Sequence, residues 1–274
     1  MTTVTYINGE QRSAISVLDR GFMYGDGVFE TILSCHANMP LWAYHYERLT
    51  SGCERLNIPV PSEASLLAQI QPHLQPTLHE VIKIVVTRGE GERGYRCTGP
   101  TSPNVVISLA QRPFRSPEYW QAGISVFCCA IRLARQPALA GLKHLSRLEQ
   151  VLAAQEWTDD YQEGLMCDEE DNVIETTSHN LFCVKGGRLY TPDLSLAGVS
   201  GIMRRYVIEL ARQMGIPVYI ENVKSTTISD MDEVFVTNSI DGIWPVKRIA
   251  DWSFKLGVIT RDLQARVAEL LPYQ

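Results

Sequence analysis

The chain has no run of about 18 apolar residues, the length a membrane-crossing helix needs. Its start, MTTVTYINGE, has neither the basic stretch nor the apolar stretch of an export signal. A soluble, cytoplasmic protein is the expectation. Seven cysteines (35, 53, 97, 128, 129, 167 and 183) are scattered, odd in number and without a C-x-x-C pair. That sets aside a disulfide scaffold or a structural zinc site and suits a reducing compartment. The six histidines also lack metal-ligand spacing, so no metal is expected. Positive charge is not in excess: 25 Lys and Arg against 31 Asp and Glu give a net charge of −6. Neither nucleic acid nor an anionic membrane is the expected partner. Repeats and low-complexity tracts are missing too.

What remains is a length of 274 residues, enough for one large domain or two ordinary ones. VTYINGEQ predicts a hairpin turning at Asn8-Gly9, and GVFETILSC a strand. HYERLTSGCERLNI places Leu49, Cys53 and Leu56 at helical spacing before Pro59. EVIKIVVTRG and NVVISLA are β-branched runs joined by a long Gly- and Arg-rich loop. QRPFRSPEYW, with two prolines between strand-like runs, predicts a linker. The organisation expected is an N-terminal domain over 1–112, a linker over 113–120 and a second domain over 121–274. In the second domain GISVFCCAIRL reads as a strand, and residues 163–192 as a meander with turns at Asp171-Asn172 and Gly186-Gly187. GIMRRYVIELARQMG predicts a helix stopped at Gly215. Strands PVYIENV and DEVFVTNS and a last helix over 258–271 follow.

LAGLKHLSRLEQVLAAQE contains one lysine. Leu145, Leu148 and Leu152 fall on one helical face, so Lys143 is expected at a helix start, where the dipole disfavours a cation. Either it is a solvated loop lysine, or an amine held by a cofactor. Glu175 ends a short strand in an apolar segment; it needs an arginine, a backbone amide or a protonated ring nitrogen as partner. Gly198 and Gly201 flank Val199 and Ser200 at a helix start, where unpaired N–H groups would suit a phosphate. Thr237, Asn238 and Ser239 end a strand and could add donors. Arg48 lies off the apolar face of its helix, either solvated or clamping a phosphate. Arg88, Arg93 and Arg96 around Tyr95 form a surface tip or a lid for an anionic substrate. A lysine, a carboxylate for a pyridine nitrogen and a phosphate cup are together what pyridoxal 5'-phosphate (PLP) requires.

Several stretches, SVLDRGFMYGDGVFET, HYERL, VIETTSHNLF, YTPDLSLAGVSGIMR and DEVFVTNSIDGIWPV among them, resemble the class IV, branched-chain-aminotransferase-like family of PLP-dependent enzymes. GLKHLSRLEQVLA is similar to the K-H-L-N-R-L-E-Q segment of that family's lyase branch, with Ser146 in place of the usual Asn. The resemblance implies an α+β fold of two domains, a small N-terminal α/β domain and a larger, barrel-like C-terminal one. It implies a homodimer whose partner chain helps close each site. It makes Lys143 the catalytic, cofactor-bound lysine, Glu175 the partner of the pyridine nitrogen, and Arg48 the phosphate arginine. Val199 and Ser200 would form the backbone phosphate cup, and Asn238 and Ser239 a second phosphate loop. The reaction implied is conversion of 4-amino-4-deoxychorismate to 4-aminobenzoate and pyruvate in folate biosynthesis. Arg88, Arg93 and Tyr95 are then the candidates for the substrate's two carboxylates. The alternatives are a D-amino-acid or branched-chain aminotransferase of the same fold, and a PLP-binding protein without catalysis.

Overall fold

Asn8 and Gly9 take φ of 52° and 85°, the left-handed pair of a type I′ turn. They join β1 (Val4–Ile7) to β2 (Glu10–Gln11). The computed structural model, which describes residues 3–97, 99 and 101–272, divides into two compact units. These are Met1–Pro113 with Leu142–Ser146, and Phe114–Gly141 with Arg147–Gln274.

The first unit contains α1 (Arg20–Tyr24), β3 (Gly27–Cys35), α2 (Trp42–Arg55), α3 (Glu63–Ile70), β4 (His79–Thr87) and β5 (Asn104–Gln111). Its antiparallel sheet has the order β2-β1-β5-β4-β3. Alternation sends Val28, Ile32, Ile82, Ile84, Val86, Ile107 and Leu109 to one face. There they form one core with Leu49 and Cys53 of α2 and Leu66 and Ile70 of α3. Leu56, expected on the same helix face, follows the helix end and packs at the core's edge.

Residues 142–146 correct the expected helix. Phe29 N–H donates to the Lys143 carbonyl at 2.9 Å and Leu145 N–H to the Gly27 carbonyl at 3.0 Å. The segment is therefore a strand-like extension along β3, bridging Val28 to His144. Lys143 is not at a helix start: α5 begins only at Leu148. The helical apolar face read from the spacing is not a core face either, since Leu148 is 75% exposed and Leu152 50%. Periodicity alone could not tell that this backbone is already hydrogen-bonded to a strand distant in sequence.

The second unit holds α4 (Glu118–Gln121), β6 (Ile124–Leu133), α5 (Leu148–Ala154), β7 (Glu163–Asp168), β8 (Asn172–Thr176), β9 (Asn180–Lys185) and β10 (Arg188–Pro192). Then come α6 (Ile202–Gln213), β11 (Val218–Glu221), β12 (Val223–Lys224), β13 (Glu233–Asn238), β14 (Gly242–Ile249), β15 (Trp252–Ser253) and α7 (Val258–Leu270). The sheet order is β11-β10-β9-β13-β14-β6-β7-β8-β12, with β15 on β14 and an additional pairing of β8 with β9. That pairing closes β9, β13, β14, β6, β7 and β8 into a ring, which makes the unit barrel-like. Val126, Leu165, Val173, Leu181, Val234, Val236 and Val246 are among the residues of its core. The expected linker over 113–120 is not extended throughout. Its end enters α4, and Trp120, 4% exposed, donates its indole N–H to the Asp241 carbonyl at 2.8 Å.

Candidate active site

In the first unit the strand-like backbone of 143–145 fixes Lys143 against β3. Its Nζ lies 4.4 Å from the centroid of Phe29, the residue whose N–H binds the Lys143 carbonyl. Lys83 Nζ, from β4, stands 5.2 Å from the same ring. One residue along β3, Glu30 points to the opposite, buried face. It accepts from Arg48 Nε at 2.7 Å and Nη2 at 2.6 Å, and lies 2.7 Å from His45 Nδ1. Burial alone would raise the Glu30 pKa; the charge and hydrogen bonds of Arg48, with those of His45, outweigh it and hold it at about 2. His45 is shifted down, by burial first and by the charges of Arg48 and Lys143, against the pull of Glu30. Arg48 is thus neither solvated nor isolated: a carboxylate orients it, and Lys143 belongs to the same electrostatic neighbourhood.

Arg88 is not placed to receive a substrate. Its Nε and Nη2 bind the two oxygens of Asp26 at 2.7 and 3.0 Å, and Nη2 and Nη1 bind the carbonyls of Leu56 and Asn57 at 2.6 and 2.8 Å. The fork is consumed in fastening the start of β3 to the end of α2. Arg93 is exposed, and Tyr95 is 89% exposed with its ring edge-on to Tyr24 at 5.4 Å. Sequence reasoning missed the residue that holds this loop. Arg20, 3% exposed, donates to the carbonyls of Gly94 and Tyr95 at 2.8 Å each and to Asp26 at 3.0 Å. Arg20 stands between the Asn8-Gly9 hairpin and GVFETILSC, a stretch whose sequence gives no local sign of such burial.

In the second unit Glu175 lies next to the ring closure, where it pairs across strands with Asn180, itself paired with Thr237. Glu175 is 5% exposed. Its Oε2 accepts from the Val199 N–H at 2.9 Å and from the Asn180 amide at 3.4 Å. Asn180 also donates to the Val199 carbonyl at 2.9 Å. Ser200 N–H donates to the Gly141 carbonyl at 3.1 Å, and Gly141 N–H to the Gly198 carbonyl at 2.9 Å. The N–H groups of Val199 and Ser200, expected to stand unpaired, are thus both paired within the chain. The glycines serve close approach instead: Gly198 has φ of 83°, and a Cβ on Gly201 would lie 1.7 Å from Asn180 Oδ1. The anion-favouring feature is the N-terminus of α6, whose N-cap Gly201 supplies no side-chain cap. Within α6, Arg204 is half-buried, and desolvation lowers it to about 10 against the attraction of Asp193 and Glu175.

Asn238 and Ser239 lie in the turn between β13 and β14. The Asn238 side chain is taken up by the turn. Its Oδ1 accepts the N–H groups of Ile240 at 2.9 Å and Asp241 at 2.7 Å, and its amide faces His179 Nε2 at 2.9 Å. His179 Nδ1 faces Glu163 Oε1 at 3.0 Å. Burial would raise Glu163, but the hydrogen bonds it accepts from His179, Ser178 and Thr177 hold it below the usual carboxylate range. This polar cluster was not read from the sequence, although a His one residue before Asn180 and a buried strand-start Glu were both visible.

A lysine fastened to a strand in one unit, and a buried carboxylate beside a glycine-flanked helix start in a barrel-like other, define a class. The model of the family Amino-transferase class IV matches residues 27–249, and the chain belongs to that family. It is 36% identical to aminodeoxychorismate lyase of Vibrio harveyi, over 96% of this chain and 98% of that protein. The crystal structure of 4-amino-4-deoxychorismate lyase from Pseudomonas aeruginosa is similar at a TM-score of 0.94 and 41% identity, covering 98% of this chain and 100% of that one. D-alanine aminotransferase of Staphylococcus epidermidis is 25% identical, over 96% of this chain and 95% of that protein.

Proposed function

We propose that the protein is a PLP-dependent lyase converting 4-amino-4-deoxychorismate to 4-aminobenzoate and pyruvate, a step of folate biosynthesis. The observation that carries the reading is the likeness to two lyases over nearly the whole chain, at 36% and 41% identity. Three features support the fit of these residues to the cofactor. The α6 N-terminus has no side-chain cap, a Cβ at Gly201 is excluded, and the two donors at Glu175 Oε2 are neutral groups. Lys143 would hold the cofactor covalently, Glu175 its ring nitrogen, and the α6 start with Val199 and Ser200, Arg48, Asn238 and Ser239 its phosphate. When bound, PLP supplies an electron-accepting ring. Glu175 keeps that ring's nitrogen charged. Once the substrate's amine has displaced it from the cofactor, Lys143 Nζ, a free amine again, would take the proton from the substrate carbon beside that amine and return one to the methylene of the departing enolpyruvate. Loss of that group makes the substrate ring aromatic, so orientation and proton transfer are what the protein must supply.

A cytoplasmic homodimer belongs to the same reading. Among the described residues no helix is long and apolar enough to cross a membrane. Val17, Phe22 and Leu148 are 71, 69 and 75% exposed, apolar surface that a second copy would cover. The test supplies aminodeoxychorismate and follows 4-aminobenzoate fluorescence and pyruvate together, which should rise in equal amounts. Amino-group transfer from D-alanine to a 2-oxo acid without 4-aminobenzoate would favour the aminotransferase, and PLP uptake without any turnover an inactive binder. Borohydride should fix the cofactor to the peptide containing Lys143.

A further inference from the structure

His179 sits beneath the turn between β13 and β14, its side chain 1% exposed, its ring 4.6 Å from that of Trp244. Each ring nitrogen meets a different chemistry. Nδ1 faces Glu163 Oε1 at 3.0 Å and Ser178 Oγ at 2.9 Å. Nε2 faces the Asn238 amide nitrogen at 2.9 Å and, further off, Asp241 Oδ2 at 3.6 Å. The orientation of the Asn238 amide is not arbitrary. Two backbone N–H groups, of Ile240 and Asp241, point at its Oδ1, so its NH2 must be the end that faces the ring. One N–H of that NH2 has Asp241 Oδ2 as its acceptor at 3.3 Å; the other, 2.9 Å from the ring nitrogen, needs an acceptor there, and a protonated nitrogen cannot accept.

We infer that His179 is a positioning residue: neutral and protonated at Nδ1, it accepts from Asn238 and so latches the 238–241 turn, a latch that protonation at Nε2 releases. The acid form has a destination built beside it. A proton on Nε2 would set two donors face to face, and the ring's other partner on that side is Asp241. Asp241 Oδ1 is buried without a hydrogen bond, with Arg115 Nε 3.7 Å away. Protonation therefore exchanges Asn238 for Asp241. The charged groups facing the ring are Glu163 from β7 and Asp241 from the turn, with Arg115 behind Asp241; β14 contributes Trp244, which carries no charge. The consequence for the cofactor rests on the function proposed above, in which Asn238 and Ser239 serve the phosphate: acid would loosen that contact before it unfolds the chain.

The latch is tested first in the protein without cofactor, by nitrogen NMR of labelled histidine. At pH 8 the His179 ring should show a proton on Nδ1 and none on Nε2. On acidification Nε2 should gain a proton, and the Asn238 side-chain amide signals should move with the same midpoint. Asp241→Asn should lower that midpoint, because the acid form loses its acceptor. The second measurement is the PLP dissociation constant by equilibrium dialysis across pH. His179→Gln, which keeps an amide acceptor, should bind within about threefold of the native protein at pH 8. It should lack a loss of roughly tenfold that the native protein shows at acid pH beyond the phosphate's own titration. A ring protonated at Nε2 at pH 8, a midpoint unmoved by Asp241→Asn, or identical pH profiles for native protein and His179→Gln would each overturn the latch. Should the protein take up no PLP at any pH, the proposed function falls, while the NMR measurement still decides the state of the ring.

Discussion

Glu30→Gln removes one charge from a buried cluster and leaves its shape nearly intact. In the native protein Arg48 binds both oxygens of Glu30, and His45 approaches one of them. A carboxyl held at about 2 instead of 4.5 stores about 3 kcal/mol at neutral pH, since each tenfold change in proton affinity is worth about 1.4 kcal/mol. Breaking a buried pair by removing one partner costs on the order of 3–5 kcal/mol, which agrees. The sign follows from the depressed value: the contribution is complete above about 4.5 and is lost as pH falls towards 2. Glu30→Gln should therefore unfold on the order of 10 °C lower at pH 7, and the gap should shrink to about half by pH 3. Thermal unfolding followed by circular dichroism at pH 7, 5 and 3 measures both. A difference below about 1 kcal/mol at pH 7, or one that stays constant down to pH 3, would refute the electrostatic account of this cluster.

Four further substitutions separate the site from its supports. Glu175→Gln should fold and bind PLP yet turn over on the order of a hundredfold more slowly; near-native turnover would make Glu175 structural. Lys143→Ala should release no 4-aminobenzoate and incorporate no cofactor on borohydride treatment, and activity without an added amine would contradict its role. Gly201→Ala places a Cβ 1.7 Å from Asn180 Oδ1, and should cost about 1–3 kcal/mol of stability and weaken PLP retention together; unchanged retention would show that the loop yields. Arg88→Ala should lower the melting temperature, because it leaves half-buried Asp26 with Arg20 as its remaining ion-pair partner and takes the donors from two carbonyls. A raised KM with no loss of stability would restore it as a substrate ligand.

The sequence made the hairpins, the strands and the long helices legible, because each obeys a local period: Asn8-Gly9 turns, β3 to β5 alternate, and α6 stops at Gly215. Glu175 was recognisable as a carboxylate in an apolar segment. Lys143 was found for the right composition and the wrong geometry, since its backbone pairs with Phe29 and Gly27, residues more than a hundred positions away. Arg88 shows the same limit from the other side. A loop arginine looks available until the carboxylate and carbonyls that consume it are folded beside it. The paired N–H groups of Val199 and Ser200 likewise depend on Glu175 and Gly141, which no spacing rule joins to them.

The ring of strands in the larger unit is sealed between β8 and β9 at a single paired couple, Glu175 and Asn180, whereas β9 and β13 pair over five residues. The seam of the barrel and the carboxylate of the proposed site are thus the same place. Loosening one residue for the sake of chemistry also loosens the closure, so variants that tune Glu175 will carry a stability change with them. The converse is more useful. A ligand that engages Glu175 acts as a rivet across the weakest joint, and its binding energy adds to the resistance of the whole unit to opening. Amide exchange along β8 and β9 should slow on cofactor binding more than exchange in the first unit's sheet, which makes the seam a direct gauge of occupancy.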